Sequence, residues 1–245
     1  MPTATTIEHL DTHWAVNFDC ERDALHRPGV TLLRNGGDYA TYHGAYLLRW
    51  GETCVFTVPA PFYERAVAGI TGRSADEVFD PGFLARLFGD AIDRIIGPAF
   101  RGCCDASDFR PVDAPGARLL APEDEPALRA LAAACGDEAW EYSGITFDRP
   151  PNFGYVVAGE LVAAGMLRTL SEGLRHVGIA THPHQRRRGY GRALVSYMTA
   201  YALAEGGIGH YQTLMSNTPS KAIALSLGYQ QYATGLAVRL RLPSK

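Results

Sequence analysis

Apolar positions recur along the 245-residue chain with two spacings, and each spacing predicts one kind of element. Short runs rich in β-branched and aromatic residues predict strands. Longer stretches with apolar residues at i, i+3 and i+4 predict amphipathic helices. In the first half these patterns predict strands over residues 30–33, 39–50 and 53–58, followed by helices over 62–70 and 80–96. The first 26 residues are mixed and polar, and we expect an irregular start there.

The stretch from Asp80 to Ile96 carries the clearest helical signals of the first half. Asp80 stands at the N-cap position and Pro81 at the first helical position, where both residue types are favoured. We therefore expect a single helix with one buried face. That face consists of Phe83, Leu84, Leu87, Phe88, Ile92, Ile95 and Ile96.

The second half alternates the two patterns more regularly. Strands are predicted over residues 117–120, 153–158, 161–169, 176–181, 210–215 and 232–242, with helices after 122, over 137–143, after 190 and over 217–227. Because a helix crosses between the strands that start at His176 and His210, we expect those two strands to run parallel. The prolines and glycine of residues 108–116 suggest a linker. We therefore predict two domains, 1–115 and 116–245.

A basic, glycine-containing turn separates the 176–181 strand from the following helix. It reads Arg186-Arg187-Arg188-Gly189-Tyr190-Gly191. The first N–H groups of a helix have no internal partner, and the helix dipole favours an anion beside them. Arginine adds forked donors that match phosphate oxygens. The turn therefore fits a pyrophosphate, although a solvated basic turn explains the same residues without any ligand.

In its strand–turn–helix setting, this turn resembles the acetyl-CoA-binding motif of the GNAT acetyltransferase family, Gln/Arg-x-x-Gly-x-Gly/Ala. Arg186, Gly189 and Gly191 fill its fixed positions. The resemblance implies that the preceding strand pairs with the pantetheine arm and that the turn amides hold the pyrophosphate. The cofactor-binding residues implied in this way are Ile179, Ala180, Thr181, Arg186, Arg187, Arg188, Gly189, Tyr190, Gly191 and Arg192.

A second segment resembles the closing part of the same family, where an Asn and a small residue open a helix that ends in Leu-Gly-aromatic. Asn217, Ser220 and Leu227-Gly228-Tyr229 match it. Asn217 is explained equally by helix capping; the resemblance adds a cofactor contact for Asn217 and Ser220. Many family members carry a tyrosine four residues before the terminal glycine that can protonate the departing thiolate. Here that position is Ala224, so either another group acts as the acid or the thiolate leaves with little help.

The implied reaction is acyl transfer to an amine, which must lose a proton to attack. Two candidate bases stand out, Glu141 and His176. A surface carboxylate and a strand-end histidine are the competing structural interpretations. Backbone N–H groups of the splayed strand near Ile179 are candidates for stabilising the tetrahedral oxyanion.

Composition narrows the class of protein further. The net charge of −3 argues against non-specific nucleic-acid binding. No apolar run is long enough for a membrane span, and the first residues do not resemble a signal peptide. Five cysteines without C-x-x-C spacing fit a reduced cytoplasm. Cys103-Cys104 fits two small buried residues better than a redox pair, and two histidines at 182 and 184 are too few ligands to predict a metal.

The sequence therefore predicts an α/β protein of the α+β type. For its second half the resemblance implies a GNAT-like, mixed and mostly antiparallel sheet with a splayed parallel central pair flanked by helices, and a small α/β domain precedes it. The function implied by the resemblance is N-acetyl transfer from acetyl-CoA, or another acyl-CoA, to an amine of a small molecule, amino acid, peptide or protein. The alternatives are a catalytically inactive CoA-binding sensor and a protein-interaction module. A homodimer is left open.

Overall fold

A computed structural model describes residues 2–148, 151–171 and 173–242. Within these ranges eight α-helices are formed: α1 (Ala4–Phe18), α2 (Tyr63–Ile70), α3 (Ala75–Val78), α4 (Pro81–Phe88), α5 (Glu125–Cys135), α6 (Asp137–Ser143), α7 (Tyr190–Ala204) and α8 (Thr218–Ser226). The same ranges contain ten strands: β1 (Gly29–Arg34), β2 (Gly44–Trp50), β3 (Thr53–Val58), β4 (Ile92–Cys104), β5 (Ala117–Leu119), β6 (Asn152–Val157), β7 (Glu160–Ser171), β8 (Leu174–Thr181), β9 (Ile208–Leu214) and β10 (Gln230–Leu240). None of the helices in these ranges is long and apolar enough to cross a bilayer.

The described residues divide into two compact units. We call residues 2–6, 102–212 and 218–230 the C-terminal unit, and residues 7–101, 213–217 and 231–242 the N-terminal unit. The domain boundary predicted near residue 115 stays a prediction. Each unit is built around strands with helices packed on them, which confirms the predicted mixed α/β class.

The C-terminal unit contains the strand order β9-β8-β7-β6-β5. Strands β5 to β8 pair antiparallel, whereas β8 and β9 run parallel as predicted. Alternate residues of β7 face opposite helices. Ala164 and Met166 pack with Leu128 and Leu131 of α5, while a Cβ atom on Gly165 would touch Met198 of α7. Helices therefore flank both faces of this sheet.

The N-terminal unit contains the strand order β1-β3-β2-β10-β4. β1 runs parallel to β3, and β2 runs antiparallel to both β3 and β10. Leu47 and Phe56 face a core formed with helices α2 to α4. Tyr46 and Val55 face a second core formed with α1. The strands predicted over residues 30–33 and 53–58 match β1 and β3, whereas the strand predicted over 39–50 begins only at Gly44, as β2.

Two predictions for the N-terminal half are wrong. The expected irregular start is helix α1. Its buried stripe mixes apolar Leu10, Trp14 and Phe18 with polar His13 and Asn17, which hides the apolar period. The single helix predicted from Asp80 to Ile96 ends at Phe88, where Gly89 adopts φ +50°. Its β-branched second part, Ile92, Ile95 and Ile96, belongs to strand β4.

The helix start predicted at Asp80 and Pro81 is confirmed. Asp80 accepts a hydrogen bond from the N–H of Phe83 at 2.7 Å, with Pro81 at the first helical position. Ser74 and Glu77 form the reciprocal capping box at the start of α3. These short-range signals succeed because they depend only on residues within one turn.

The segment predicted as a linker is packed against two helices of the C-terminal unit. The N–H of Arg110 donates to the carbonyl of Leu227 at 3.0 Å. Val112 exchanges two hydrogen bonds with the hydroxyl of Ser196, which accepts from its N–H at 2.9 Å and donates to its carbonyl at 3.2 Å. Gly228 lies so close to Asp108 that a Cβ atom would stand 2.0 Å from the Asp108 carbonyl oxygen. We refer to residues 105–112 as the strap.

Candidate active site

Strands β8 and β9 pair over only part of their length. Their parallel ladder runs from Leu174 opposite Ile208 to Val177 opposite Tyr211. β8 then continues to Thr181, paired with β7 on its other side. Within the described residues the ladder between β8 and β9 thus ends at Val177, and residues 178–181 extend beyond it. This is the splayed parallel pair that the family resemblance implies.

The basic turn follows directly from this end of β8. Gly189 is the N-cap of α7 with φ +86°, and Arg187 has φ +63°, a conformation that non-glycine residues rarely adopt. The first intrahelical hydrogen bond of α7 runs from the N–H of Ala193 to the carbonyl of Gly189. The N–H groups of residues 190–192 therefore precede the helical ladder, which is the arrangement that binds anions.

The charges of the turn are exposed. Arg186, Arg187, Arg188 and Arg192 are all exposed, and no ion pair joins any of them to a carboxylate within the described part of the chain. The Nε of Arg186 donates to the carbonyl of Thr181 at 3.3 Å, which ties the turn back to the end of β8. A cluster of cations beside helix N–H groups suits a multiply charged anion.

Gly191 brings the start of α7 against strand β8. A Cβ atom on Gly191 would lie 2.9 Å from Oγ1 of Thr181. Tyr190 stacks on Tyr155 of β6 with ring centroids 5.2 Å apart. The glycine therefore sets the spacing between the helix start and Thr181, so that the N–H groups and the strand edge border the same space. The residues present fit a pyrophosphate-containing ligand.

His176 forms a pair with a second histidine. His176 and His210 are direct partners in the β8–β9 ladder, and their Nδ1 atoms lie 3.1 Å apart. His176 is half-buried, whereas His210 is 1% exposed. Sequence analysis did not identify His210, although the predicted parallel pairing already placed both histidines at the first position of neighbouring strands.

Glu141 lies in α6 and its side chain is exposed. The end of that helix packs directly on β8, since a Cβ atom on Gly178 would lie 2.0 Å from the carbonyl oxygen of Ser143. Helix α6 therefore contacts β8, but among the described residues no contact joins the Glu141 carboxylate to this strand. Its role as a base stays a prediction.

Ser220 lies in the first turn of α8, where its Oγ is 3.0 Å from Oη of Tyr211. Tyr211 is the β9 residue at the last pair of the ladder and is 1% exposed. Asn217 directly precedes α8 in a segment of the N-terminal unit. Its contact with a cofactor stays a prediction. Tyr211 was missed because a single tyrosine in a strand carries no motif.

Cys103, Cys104 and Cys135 are held in the thiol form by their surroundings. Burial raises the pKa of both Cys103 and Cys104 to about 12, with Asp105 and Asp108 acting in the same direction. Burial also raises the pKa of Cys135. Because only the thiolate is reactive, these thiols are inert near neutral pH. The interpretation of Cys103-Cys104 as buried residues is confirmed.

Comparison with known proteins locates the family resemblance in this unit. Residues 119–229 match the model of the acetyltransferase (GNAT) family. No curated protein sequence matches the chain. Solved structures share the fold at low identity. A GCN5-related N-acetyltransferase from Kribbella flavida is 22% identical with a TM-score of 0.50, over 68% of this chain and 66% of that one.

Two further structures give the same result. A GNAT-family acetyltransferase from Colwellia psychrerythraea is 18% identical with a TM-score of 0.51, over 64% of this chain and 61% of that one. A GCN5-related N-acetyltransferase from Sphaerobacter thermophilus is 16% identical with a TM-score of 0.50, over 68% and 59%. The matched region thus spans less than two thirds of each of these proteins, and at this identity the likeness shows the fold alone.

Proposed function

Residues 119–229 match the acetyltransferase (GNAT) family, and on that premise we propose that the protein transfers an acyl group from acetyl-CoA, or another acyl-CoA, to a primary amine. The observation that carries the proposal is the end of the β8–β9 ladder beside the basic start of α7. An open strand edge and an anion site on one continuous segment are what a long pyrophosphate-containing thioester requires.

Strand β8 and the turn bind different parts of acetyl-CoA in this proposal. Backbone groups of Ile179, Ala180 and Thr181 bind the amide-containing arm, as a strand partner would. The N–H groups of residues 187–192 and the arginine side chains bind the pyrophosphate. Ser220 lies in the first turn of α8 and contacts the arm near its sulfur end. Bound acetyl-CoA supplies an activated acyl carbon as a thioester.

His176 is the base that the geometry favours. A base must hold the proton that the attacking amine loses. His176 is half-buried one residue before the ladder ends at Val177, whereas Glu141 is exposed. His210 holds the His176 ring through the contact between their Nδ1 atoms. An N–H group near Ile179 would stabilise the oxyanion of the tetrahedral intermediate.

The acceptor in this proposal is an amine of a small molecule, amino acid, peptide or protein terminus. The five free cysteines fit a reducing cytoplasm, which we propose as the location. A homodimer is compatible with the proposal, and no step of it requires a metal ion.

Calorimetric titration with acetyl-CoA tests the cofactor assignment. We expect micromolar binding that is lost in an Arg188→Glu, Gly189→Glu double variant. The matched control is Arg94→Glu with Gly72→Glu: Arg94 is exposed, and Gly72, like Gly189, has positive φ with open space around it. The control changes net charge equally and should bind normally. Absence of binding by the wild type would refute the proposal.

One observation favours a second candidate, an acyl-CoA sensor without turnover. Ala224 stands where many family members carry the acidic tyrosine, and it is fully buried. A screen of amines for release of free CoA separates the two functions. Release with any amine identifies the enzyme, whereas binding without release identifies the sensor. An interaction module alone would bind no acetyl-CoA.

A further inference from the structure

The replacement of the usual tyrosine by Ala224 leaves the departing sulfur in need of another hydrogen-bond donor. The nearest tyrosine in sequence, Tyr229, is committed elsewhere: it is 1% exposed and its hydroxyl lies 2.7 Å from Oγ1 of Thr199. Tyr232 belongs to the N-terminal unit, where its hydroxyl accepts from Nε1 of Trp14 at 3.2 Å. Neither serves the candidate site of the C-terminal unit.

Tyr211 and Ser220 form a hydroxyl pair at the point where the strands part. Tyr211 stands opposite Val177 in the last pair of the β8–β9 ladder, and its Oη is 3.0 Å from Oγ of Ser220. Ser220 precedes Ala224 by four residues in α8, so the two positions share one face of the helix. Ser220 is half-buried while Tyr211 is fully enclosed, which makes Ser220 the member that a ligand can reach.

We propose that the hydroxyl of Ser220, oriented by Tyr211, donates a hydrogen bond to the sulfur that departs during acyl transfer. This inference rests on the proposed function. The amine nitrogen forms the new C–N bond, the C–S bond breaks, and its electron pair goes to the sulfur. The Ser220 hydroxyl stabilises the resulting thiolate without giving up its proton. The amine proton is held by the base, and the thiolate takes a proton from water after release.

Tyr211 acts here as a positioning residue through Ser220. A phenol that donates to a serine hydroxyl polarises it and strengthens the next hydrogen bond in the chain. Burial raises the pKa of Tyr211, with the Ser220 contact opposing, so Tyr211 stays protonated and remains a donor throughout the neutral range. Hydrogen bonding is sufficient for this leaving group because an ordinary thiol has a pKa of about 8.5 and is not a difficult anion to form.

The acidity of the thiol of bound CoA tests the inference without any acceptor amine. A donor to the sulfur stabilises the thiolate and so increases its acid dissociation constant. The thiolate is followed by its ultraviolet absorbance during a pH titration of the protein–CoA complex, with the complex of desulfo-CoA subtracted to remove tyrosine ionisation. We expect Tyr211→Phe and Ser220→Ala each to reduce the dissociation constant of the bound thiol about tenfold relative to the wild type.

Tyr229→Phe is the matched control, since it removes a buried tyrosine hydroxyl with its own side-chain partner in the same unit. It should leave the thiol acidity at the wild-type value. Calorimetric titration of each variant with CoA distinguishes a failure of the proposed function from a failure of this inference. If the wild type does not bind CoA, the proposed function fails. If CoA binds with unchanged affinity and Ser220→Ala has the thiol acidity of the wild type, Ser220 does not donate to the sulfur. If only Tyr211→Phe has the wild-type acidity, Tyr211 does not orient Ser220.

Discussion

The Nδ1 atoms of His176 and His210 lie 3.1 Å apart across the parallel ladder of β8 and β9. At this distance one nitrogen donates and the other accepts, so the two rings share a single proton between these atoms. A proton arriving on the accepting Nδ1 would break the contact. The pair is therefore a unit, and a change in either ring alters the other.

This coupling predicts non-additive kinetics. If His176 is the base, we expect His176→Ala to reduce turnover by about 10² and His210→Ala to reduce it by a smaller factor. The double variant should resemble His176→Ala, because His210 acts only through its partner. The measurement is CoA release with an amine found in the screen. Multiplicative effects of the two single changes would contradict the coupling.

Substitution of Gly191 should weaken acetyl-CoA binding through Thr181. Gly191→Ala places a Cβ atom 2.9 Å from Oγ1 of Thr181 and must push the start of α7 away from β8. We expect a loss of about 1–2 kcal/mol, roughly a tenfold higher Kd in calorimetry. Adding Thr181→Ala removes the clash and should restore most of the affinity. No rescue by the second change would show that another property of Gly191 matters.

Binding of acetyl-CoA should depend on salt. Exposed arginines attract an anionic ligand through a field that mobile ions screen within about 10 Å at 0.1 M salt. Kd should therefore rise steadily with sodium chloride. Replacing Arg187 and Arg188 by glutamine should both weaken binding at low salt and flatten this dependence. A salt dependence as steep as that of the wild type in this variant would place the main cations elsewhere.

Gly178→Ala should be strongly destabilising. The new Cβ atom would stand 2.0 Å from the backbone oxygen of Ser143, so α6 must separate from β8, at a cost of about 3 kcal/mol or more. Gly159→Ala is the comparison: it has φ +85° but open space, and backbone strain alone should cost about 1 kcal/mol. Chemical unfolding measures both. Equal losses would show that α6 moves without resistance.

The free energy of unfolding should depend on pH through the protonation of His13. Burial lowers its pKa to about 4, with Arg101 adding to the effect, and its Nε2 accepts from Nδ2 of Asn17 at 2.9 Å. The folded state thus binds this proton less readily than the unfolded state, whose pKa is about 6.5. Its contribution is complete above pH 6.5 and is lost as pH falls from there towards 4.

The shift corresponds to about 3 kcal/mol. The free energy of unfolding of the wild type should therefore fall more steeply between pH 6.5 and 4 than that of His13→Gln, which cannot take up the proton. Parallel curves for the two proteins would mean that His13 is protonated equally in both states. Denaturant titrations at a series of pH values provide the comparison.

Sequence patterns predicted the C-terminal unit well because its signals are local and consistent. The strand, the glycine-containing turn and the helix face that ends at Gly206 each follow from neighbouring residues, and the crossing helix then fixes the parallel direction of β8 and β9. The candidate site residues 179–181 and 186–192 lie together for the same reason, since one continuous segment contains them all.

The missed features depend on contacts between distant residues. The Tyr211–Ser220 hydroxyl pair requires the register of β9 against the start of α8, which no local pattern contains. The pairing of His176 with His210 follows only when two predicted parallel strands that each begin with a histidine are set side by side. Helix α1 was missed because polar His13 and Asn17 occupy buried positions and hydrogen-bond each other, so burial there is not signalled by hydrophobicity. The sequence predicts helix for the start of β4 because Ile92, Ile95 and Ile96 have the i, i+3 and i+4 spacing of a helix face, whereas the helix already ends before Gly89.

The strap changes how the C-terminal unit should be isolated. A fragment cut at residue 116 would keep the whole family-like region yet lose the backbone partner of Ser196, which is 2% exposed in α7. It would also uncover Leu227 and Gly228, which follow α8. Truncation between residues 105 and 112 would thus remove backbone contacts from α7 and from the end of the α8 segment, both beside the candidate site, and a fragment of this unit should begin before Asp105.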